Sequence, residues 1–412
     1  MLRKLRPAHR RPGRAAYRHR GHPAGRQLIA FGAIGTAALL GMVGCSSGGS
    51  SGSAAAPASS TSANSSGSSA SSAVDAAMKA TVDSDYTAPG PALAGVSKLA
   101  GKTVWYIPLS SQITTTQLVS ASLTEALNKA GMKLYTCSGD TNPSTIASCV
   151  TSAVNGHAAG VVFDSITAGF VADGIKQLEA AHIPAMISDE PNPAGAGPGT
   201  DQLAYLPGNP QQALSVLGQW VATDAGGATD VLVNEVTDAP PTIAYIADGF
   251  IPALKQACSG CTVTVNKIQS ANFSLMPSST SAALIANPGT KYVVSEFDAD
   301  VGPTLQGVQQ SGKLSAVKGA AMGGLLAQLQ QLDQGTFLYA DAGTDFAYQG
   351  WAEADLMLRQ LTGAAPVTYN VPLRLFTRDD VKTLNLTVAG QDSGAWYGST
   401  AFKAMFARLW GV

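Results

Sequence analysis

The residues able to do chemistry in this 412-residue chain are carboxylates, amides and hydroxyls, and they recur where short β-branched or apolar runs end. In the first half these are Ser110, Ser111 and Gln112, Asp140 with Asn142, Asp164 with Ser165, and Asp189 with Glu190. In the second half they are Glu235 with Asp238, Asn272, Asp298, and Asp341 with Thr344. Each carboxylate oxygen accepts from one or two hydroxyls without a proton changing hands, so such a set suits holding a hydroxyl-rich ligand. The candidate ligand-binding set is therefore Ser110, Ser111, Gln112, Asn142, Asp164, Asp189, Glu235, Asn272, Asp298 and Asp341. For Asp140, Asp238 and Asp300, helix capping or plain solvation is the competing role.

Motifs for covalent chemistry fail in context. Gly44-Cys45-Ser46-Ser47-Gly48 has the spacing of a nucleophile elbow but lacks the strand and helix that must flank one. Asp392-Ser393-Gly394 resembles a serine-protease loop, yet neither His157 nor His182, the two histidines beyond residue 45, has a catalytic signature around it. Gly195–Gly199 carries a proline and opens no helix, so it cannot cradle a phosphate. No catalytic residue, metal site or cofactor is expected.

Charge narrows the classes further. The overall balance is −1, but nine of the 26 basic residues precede residue 45, which leaves 17 basic against 27 acidic ones, a net −10. So acidic a chain lacks the clustered Lys/Arg that nucleic-acid binding needs.

Those nine bases lead into an uncharged run over 28–43, too short for the roughly 20 residues of a membrane span. A basic stretch, an apolar run and a small-residue exit read as an export signal. The exit, Met42-Val43-Gly44-Cys45, resembles the bacterial lipobox, which implies lipidation of Cys45 and anchoring to the outer face of the cell membrane. Residues 46–72 are almost entirely Ser, Ala and Gly, a composition that makes a flexible tether of about 25–30 Å. Four further cysteines suit an oxidising compartment; the simplest of three connectivities pairs Cys137 with Cys149 and Cys258 with Cys261. The rival for Cys258-Ser-Gly-Cys261 is a redox or zinc site.

Stepping along the body, strands are expected at 103–107, 133–136, 160–163 and 183–187, alternating with helices at 116–130, 143–154 and 170–181. After a Pro/Gly-rich interruption at 191–199 the alternation resumes, with strands at 230–234, 262–268, 292–295 and 337–340. Helices are expected there at 211–223, 243–257, 278–286, 304–310 and 346–361. The fold class is α/β: two doubly wound, parallel-sheet, Rossmann-like lobes, with ligand bound beyond the carboxyl ends of the strands.

The order of elements, with "GKTVWYIPLS" at 101–110, "AAHIPAMISDE" at 180–190, "EFDADVGPTLQGVQQSGK" at 296–313 and "YQGWAEADLMLRQLTG" at 348–363, resembles the type I periplasmic-binding-protein family of sugar-type ABC importers. The resemblance covers 101–412 and places Asp298 on the family's ligand-binding Asp. It implies a signal at 1–44, a lipidated tether at 45–74, an extension at 75–100, a first lobe of 101–207 plus 346–366, and a second lobe of 208–345 plus 367–412 with the C-terminal tail. Hinge crossovers are expected near 206–209, 341–345 and 366–372. The implied function is an extracytoplasmic, monomeric solute-binding lipoprotein that hands a small polar, carbohydrate-like ligand to ABC permease subunits, with no enzyme chemistry. A ligand sensor presenting to a receptor kinase and a secreted hydrolase are the alternatives. Two departures stand out: Ile113-Thr114-Thr115-Thr116 occupies the usual aromatic platform, and Ile246 replaces an Arg often found ahead of Gly-Phe.

Overall fold

The computed structural model describes residues 86–412; Cys45, the signal-like segment, the tether and the extension as far as residue 85 lie outside the described residues. Among the described residues no helix is long and apolar enough to cross a membrane.

The first lobe forms around five parallel strands: β1 (Thr103–Pro108), β2 (Lys133–Thr136), β3 (Gly160–Asp164), β4 (Ala185–Ser188) and β5 (Leu203–Leu206), in the order β2-β1-β3-β4-β5. Period-two alternation sends Val104 and Tyr106 of β1 into one core and Trp105 and Ile107 into the other. Helix α1 (Thr114–Lys129) covers the first face, and α2 (Pro143–Asn155) and α3 (Ala172–Ala180) cover the second.

The second lobe is built on β6 (Asp230–Val236), β7 (Thr262–Ile268), β8 (Thr290–Ser295), β9 (Lys318–Gly323), β10 (Leu338–Thr344) and β11 (Leu373–Thr377). Their order is β11-β10-β9-β8-β6-β7, parallel except for the antiparallel edge strand β11. Its helices are α4 (Pro210–Ala225), α5 (Pro240–Ala244), α6 (Ile251–Ala257), α7 (Met276–Ala286), α8 (Val301–Gln310) and α9 (Leu326–Gln334). A single π-helical turn, Tyr245–Phe250, joins α5 to α6. Two apolar cores again sandwich the sheet.

The chain leaves the first sheet after β5 and enters the second at α4. It returns at α10 (Phe346–Thr362), whose buried length packs on α1, then passes back to β11. The three crossovers are tied to each other. Asn209 Nδ2 donates to the Val371 carbonyl at 2.9 Å, Thr344 Oγ1 donates to Asn209 Oδ1 at 3.2 Å, and the Asp345 N–H donates to the Pro372 carbonyl at 2.9 Å. After α11 (Val388–Ser393), the last helix, α12 (Phe402–Trp410), leaves the second sheet and packs Phe402, Phe406 and Trp410 on the first-lobe core. Cys137–Cys149 and Cys258–Cys261 are both disulfide-bonded, with Cα separations of 5.8 and 5.4 Å.

Strands β5, β9 and β11 and helices α9, α11 and α12 go beyond the elements expected from the sequence. Strand β9, Lys-Gly-Ala-Ala-Met-Gly, lacks the β-branched signature because it lies mid-sheet under bulky neighbours. A Cβ on Gly319 would lie 2.6 Å from the Phe337 ring. Gly319→Val should therefore destabilise the protein by about 1–3 kcal/mol through overpacking. Its Tm, read by calorimetry, should fall by several degrees, whereas an unchanged Tm would show that the ring has room to move.

Candidate functional site: an acid-rich face at the strand ends

Both sheets present their carboxyl ends to the same inter-lobe face, and the turns there are strongly one-sided in charge. The segments 109–113, 137–142, 164–171, 188–200, 206–209, 235–239, 268–275, 295–300, 323–325 and 341–345 hold eleven Asp or Glu and no Lys, Arg or His. Few cations lie near these acids, Lys403 acting on Asp345 among them. Lys267 lies 3.8 Å from Glu235, and Arg374 donates to the Trp396 carbonyl while lying 3.8 Å from Asp380.

In the first lobe, Asp164 and Asp189 come together through Ser165, whose hydroxyl reaches Asp164 Oδ1 at 3.0 Å and Asp189 Oδ2 at 3.4 Å. Ser165 and Asp189 both adopt left-handed backbone, φ 59° and 58°, which turns their side chains at the ends of β3 and β4. The Tyr106 hydroxyl, rising from the core, donates to Asp164 and to the Thr116 carbonyl. Below them Glu353 of α10 is fully buried, held by Ser188 Oγ at 2.5 Å and Gln349 Nε2 at 3.3 Å. Gly208 is glycine for space: a Cβ there would lie 2.0 Å from Asp189 Oδ1.

In the second lobe, Asp298 and Asp341 form the matching pair. The Leu325 N–H donates to Asp298 Oδ2 at 2.8 Å, and the Gly324 N–H to Asp341 Oδ1 at 3.0 Å. The remaining oxygens, Asp298 Oδ1 and Asp341 Oδ2, are buried without a partner in the chain, and the neighbouring Asp298 charge adds to burial in pushing Asp341 up. Glu296, fully buried just past β8, accepts from the Val236 N–H at 2.6 Å through Oε2, while its Oε1 has no partner in the chain.

Burial is the leading cause of every large carboxyl shift here. It pushes Asp164 up to about 6 against its bonds from Tyr106 and Ser165, and Asp298 to about 6 against its bonds from Leu325 and Asp341. Glu190 rises to about 7 through burial and then the Asp164 charge; Asp300 also reaches about 7. Glu296 reaches about 9. Asp189, Asp341 and Glu353 are raised well above the usual carboxylate range by burial and neighbouring acids.

Other residues of the expected set are differently employed. Asn142 caps α2, its Oδ1 accepting from the Ser144 and Thr145 N–H groups at 2.8 and 3.2 Å. Ser110 is buried at the start of α1, where its Oγ accepts from the Gln112 N–H at 3.2 Å and its carbonyl from Thr116 Oγ1 at 2.7 Å. The Ser111 N–H donates to Ser138 Oγ at 3.0 Å, and Gln112 and Asn272 are exposed. Glu235 is buried beside Glu296. Of the competing caps, Asp238 accepts from Ser270, and Asp300 closes the turn at the Phe297 N–H at 3.3 Å. Sequence reasoning missed Tyr106, Tyr245, Glu296 and Glu353. Ile246 faces the second-lobe core, and its neighbour Tyr245 is the side chain that feels Glu190, Asp189 and Glu296.

The family model described as "Periplasmic binding protein domain" matches residues 104–365. The chain belongs to the type I periplasmic-binding-protein family. Solved structures of that fold include a 5-methylthioribose transporter solute-binding protein from Thermotoga lettingae in complex with 5-methylthioribose. It is 14% identical with a TM-score of 0.63, and the match covers 76% of this chain and 98% of that one. An ABC transporter solute-binding protein from Agrobacterium vitis, bound with α-D-tagatopyranose, is 18% identical with a TM-score of 0.61, over 68% and 96%. A periplasmic ribose ABC transporter protein from Conexibacter woesei is 12% identical with a TM-score of 0.61, over 71% and 97%. No curated protein sequence matches the chain.

The acid-rich face makes the stability of this periplasmic-binding-protein chain depend on pH in a definite sense. Acids with raised pKa hold protons in the folded chain that the unfolded chain has released, so stability is greatest below about pH 4 to 5 as far as these groups are concerned. It falls as pH rises through 6 and 7 to about 9, where Glu296 ionises. Each group loses about 1.4 kcal/mol per pH unit between its two pKa values. Without added ligand, Tm should drop between pH 5.5 and about 9 by roughly 5 °C or more; a flat or rising Tm over that interval would contradict the assigned burial.

Proposed function

We propose that the protein is an extracytoplasmic solute-binding lipoprotein of an ABC importer. It closes two lobes on a small polar, carbohydrate-like ligand and presents it to permease subunits without changing it chemically. The observation that carries this reading is the pairing of the family match with strand-end carboxylates from both lobes, Asp164 and Asp189 on one side and Asp298 and Asp341 on the other. The fold neighbours that carry sugars or polyols in their titles support the ligand class. The lipobox-like Met42–Cys45 and the Ser/Ala/Gly-rich segment after it support anchoring through a lipidated Cys45. The interlinked crossovers at Asn209, Thr344 and Asp345 would supply the hinge.

The ligand is not held as an ordinary hexose or pentose. Thr116 is buried and bonded to the Ser110 and Ile113 carbonyls, and Ile246 is fully buried, so neither departure is made good at its own position. An aromatic platform would cover roughly 150–250 Å² of a sugar's C–H face, far more than threonine offers.

A thermal-shift screen over sugars, polyols and amino acids tests the reading. At least one polar small molecule should raise Tm, while ribose, glucose and galactose bind weakly or not at all. Asp298→Ala should then weaken the hit by about 1.5–3 kcal/mol in titration calorimetry. A screen in which no compound raises Tm would contradict solute binding, and unchanged affinity in the variant would remove Asp298 from the site.

A further inference from the structure

Besides the three crossovers, the chain passes between the lobes a fourth time, through its C-terminal segment. We infer that residues 398–401 form a short strap between two firm anchors, which limits how far one lobe can rotate against the other. This rests on the two-lobe closure of the solute-binding reading.

On the second lobe the anchor is Trp396 with Tyr397, both buried in its core. The Trp396 indole N–H donates to the Asn385 carbonyl at 2.9 Å, and Arg374 Nη1 donates to the Trp396 carbonyl at 2.5 Å. Tyr397 packs edge-on against Phe376, with ring centres 5.4 Å apart. Its hydroxyl occupies the space left by Gly324 and Gly343, where a Cβ on either glycine would collide with it. One turn earlier, Gln391 Oε1 accepts from the Leu326 N–H at 2.6 Å.

On the first lobe the anchor is α12. Phe402 and Phe406 are fully buried, and Trp410 stacks on Trp351 of α10 with ring centres 5.4 Å apart. The Trp410 indole N–H donates to Asp355 Oδ1 at 2.7 Å. Lys403 Nζ donates to Glu125 Oε2 of α1 at 2.7 Å, and the Leu93 N–H donates to the Leu409 carbonyl at the same distance. Large aromatic areas withdrawn from water, with their polar atoms paired, make each end costly to pull free.

The length of the strap sets the limit. Four residues separate Tyr397 from Phe402, so even fully extended they span about 18 Å, five steps of at most about 3.6 Å. Part of that reach is already taken up in a turn. The Ala401 N–H donates to Ser399 Oγ at 3.1 Å, and the Lys403 N–H donates to the Thr400 carbonyl at 3.2 Å. Once this turn is unwound, further separation must draw Phe402 out of one core or Tyr397 out of the other. Packing does not do the same work beside the hinge. A cavity lies there between the lobes, lined by Ser122 and Glu125 of α1, Thr344 and Phe346 of the crossover, and Gln391 and Tyr397 of the tail. The crossovers alone would leave a hinge free to swing. A strap that narrows the swing reduces the freedom lost when the lobes close on a ligand.

Pulsed electron–electron resonance between nitroxides tests this on the ligand-free protein. The labels go on Ala172→Cys and Ala282→Cys, exposed positions on α3 and α7 of the two lobes. The parent is compared with proteins carrying two or six Gly/Ser residues inserted between the exposed Ser399 and Thr400. Two residues add up to about 7 Å of reach and six up to about 20 Å. The inter-lobe distance distribution should therefore broaden with the first insertion and broaden again with the second. A Tm close to the parent's shows that each inserted protein keeps its fold, and if the longer one does not, the shorter gives the reading. Distributions of equal width in parent and inserted proteins would overturn the strap. The thermal-shift screen judges solute binding separately, since these distances are read without ligand.

Discussion

Carboxylates withdrawn from water and met by few basic side chains are the constraint around which this molecule is arranged. Moving an ionised carboxylate into a protein interior is unfavourable by several kcal/mol unless hydrogen bonds or a counter-charge offset it. The chain answers with backbone N–H groups aimed at Asp298, Asp341 and Glu296, with hydroxyls from Tyr106, Ser165 and Ser188, and with retained protons. None of these answers supplies positive charge.

The rest of the fold serves to hold those groups at one face. Two doubly wound sheets deliver strand ends from both sides, and the glycines at 208 and 323 let a neighbouring backbone come close to Asp189 and Asp298. At Gly323 the requirement is also conformational, since φ is +153° and a Cβ would lie 2.5 Å from Asp298 Oδ2. Helix α10 ties the lobes together: Asp345 caps its start by accepting from the Tyr348 N–H at 3.0 Å, and Glu353 reaches beneath the first-lobe acids. Farther along it, the buried Arg359–Asp355 pair at 2.8 Å is completed by Tyr369 and Trp410. This network anchors the last helix on the first lobe.

Much of this was legible in the sequence, for identifiable reasons. Strands such as Thr103–Pro108 and Asp230–Val236 declare themselves by β-branched runs, and the first-lobe acids follow directly at the ends of their strands. Asp298 was reached through the resemblance of its surroundings. Strand β9 was hidden because a strand packed under Phe337 must be made of small residues, and small residues carry no strand signature. Glu353 escaped because it is one polar residue in a helix buried on every side, where the informative signal was the absence of a solvent face. Tyr106 escaped because it sits in the apolar alternation of β1, and only its hydroxyl leaves the core, to reach Asp164. Asn142 was read as a ligand because a helix cap and a ligand share the same residue type and the same place after a strand.

Carboxyl ¹³C NMR on protein labelled at Asp and Glu, titrated from pH 4 to 10 without ligand, tests the central claim most directly. Glu296 should remain protonated at pH 7 and ionise near about 9, and Asp341 should titrate well above the usual carboxylate range because burial and the Asp298 charge push it up. If every carboxyl group ionises below about pH 5, the acids are solvated or paired, and the argument from buried, uncompensated charge fails.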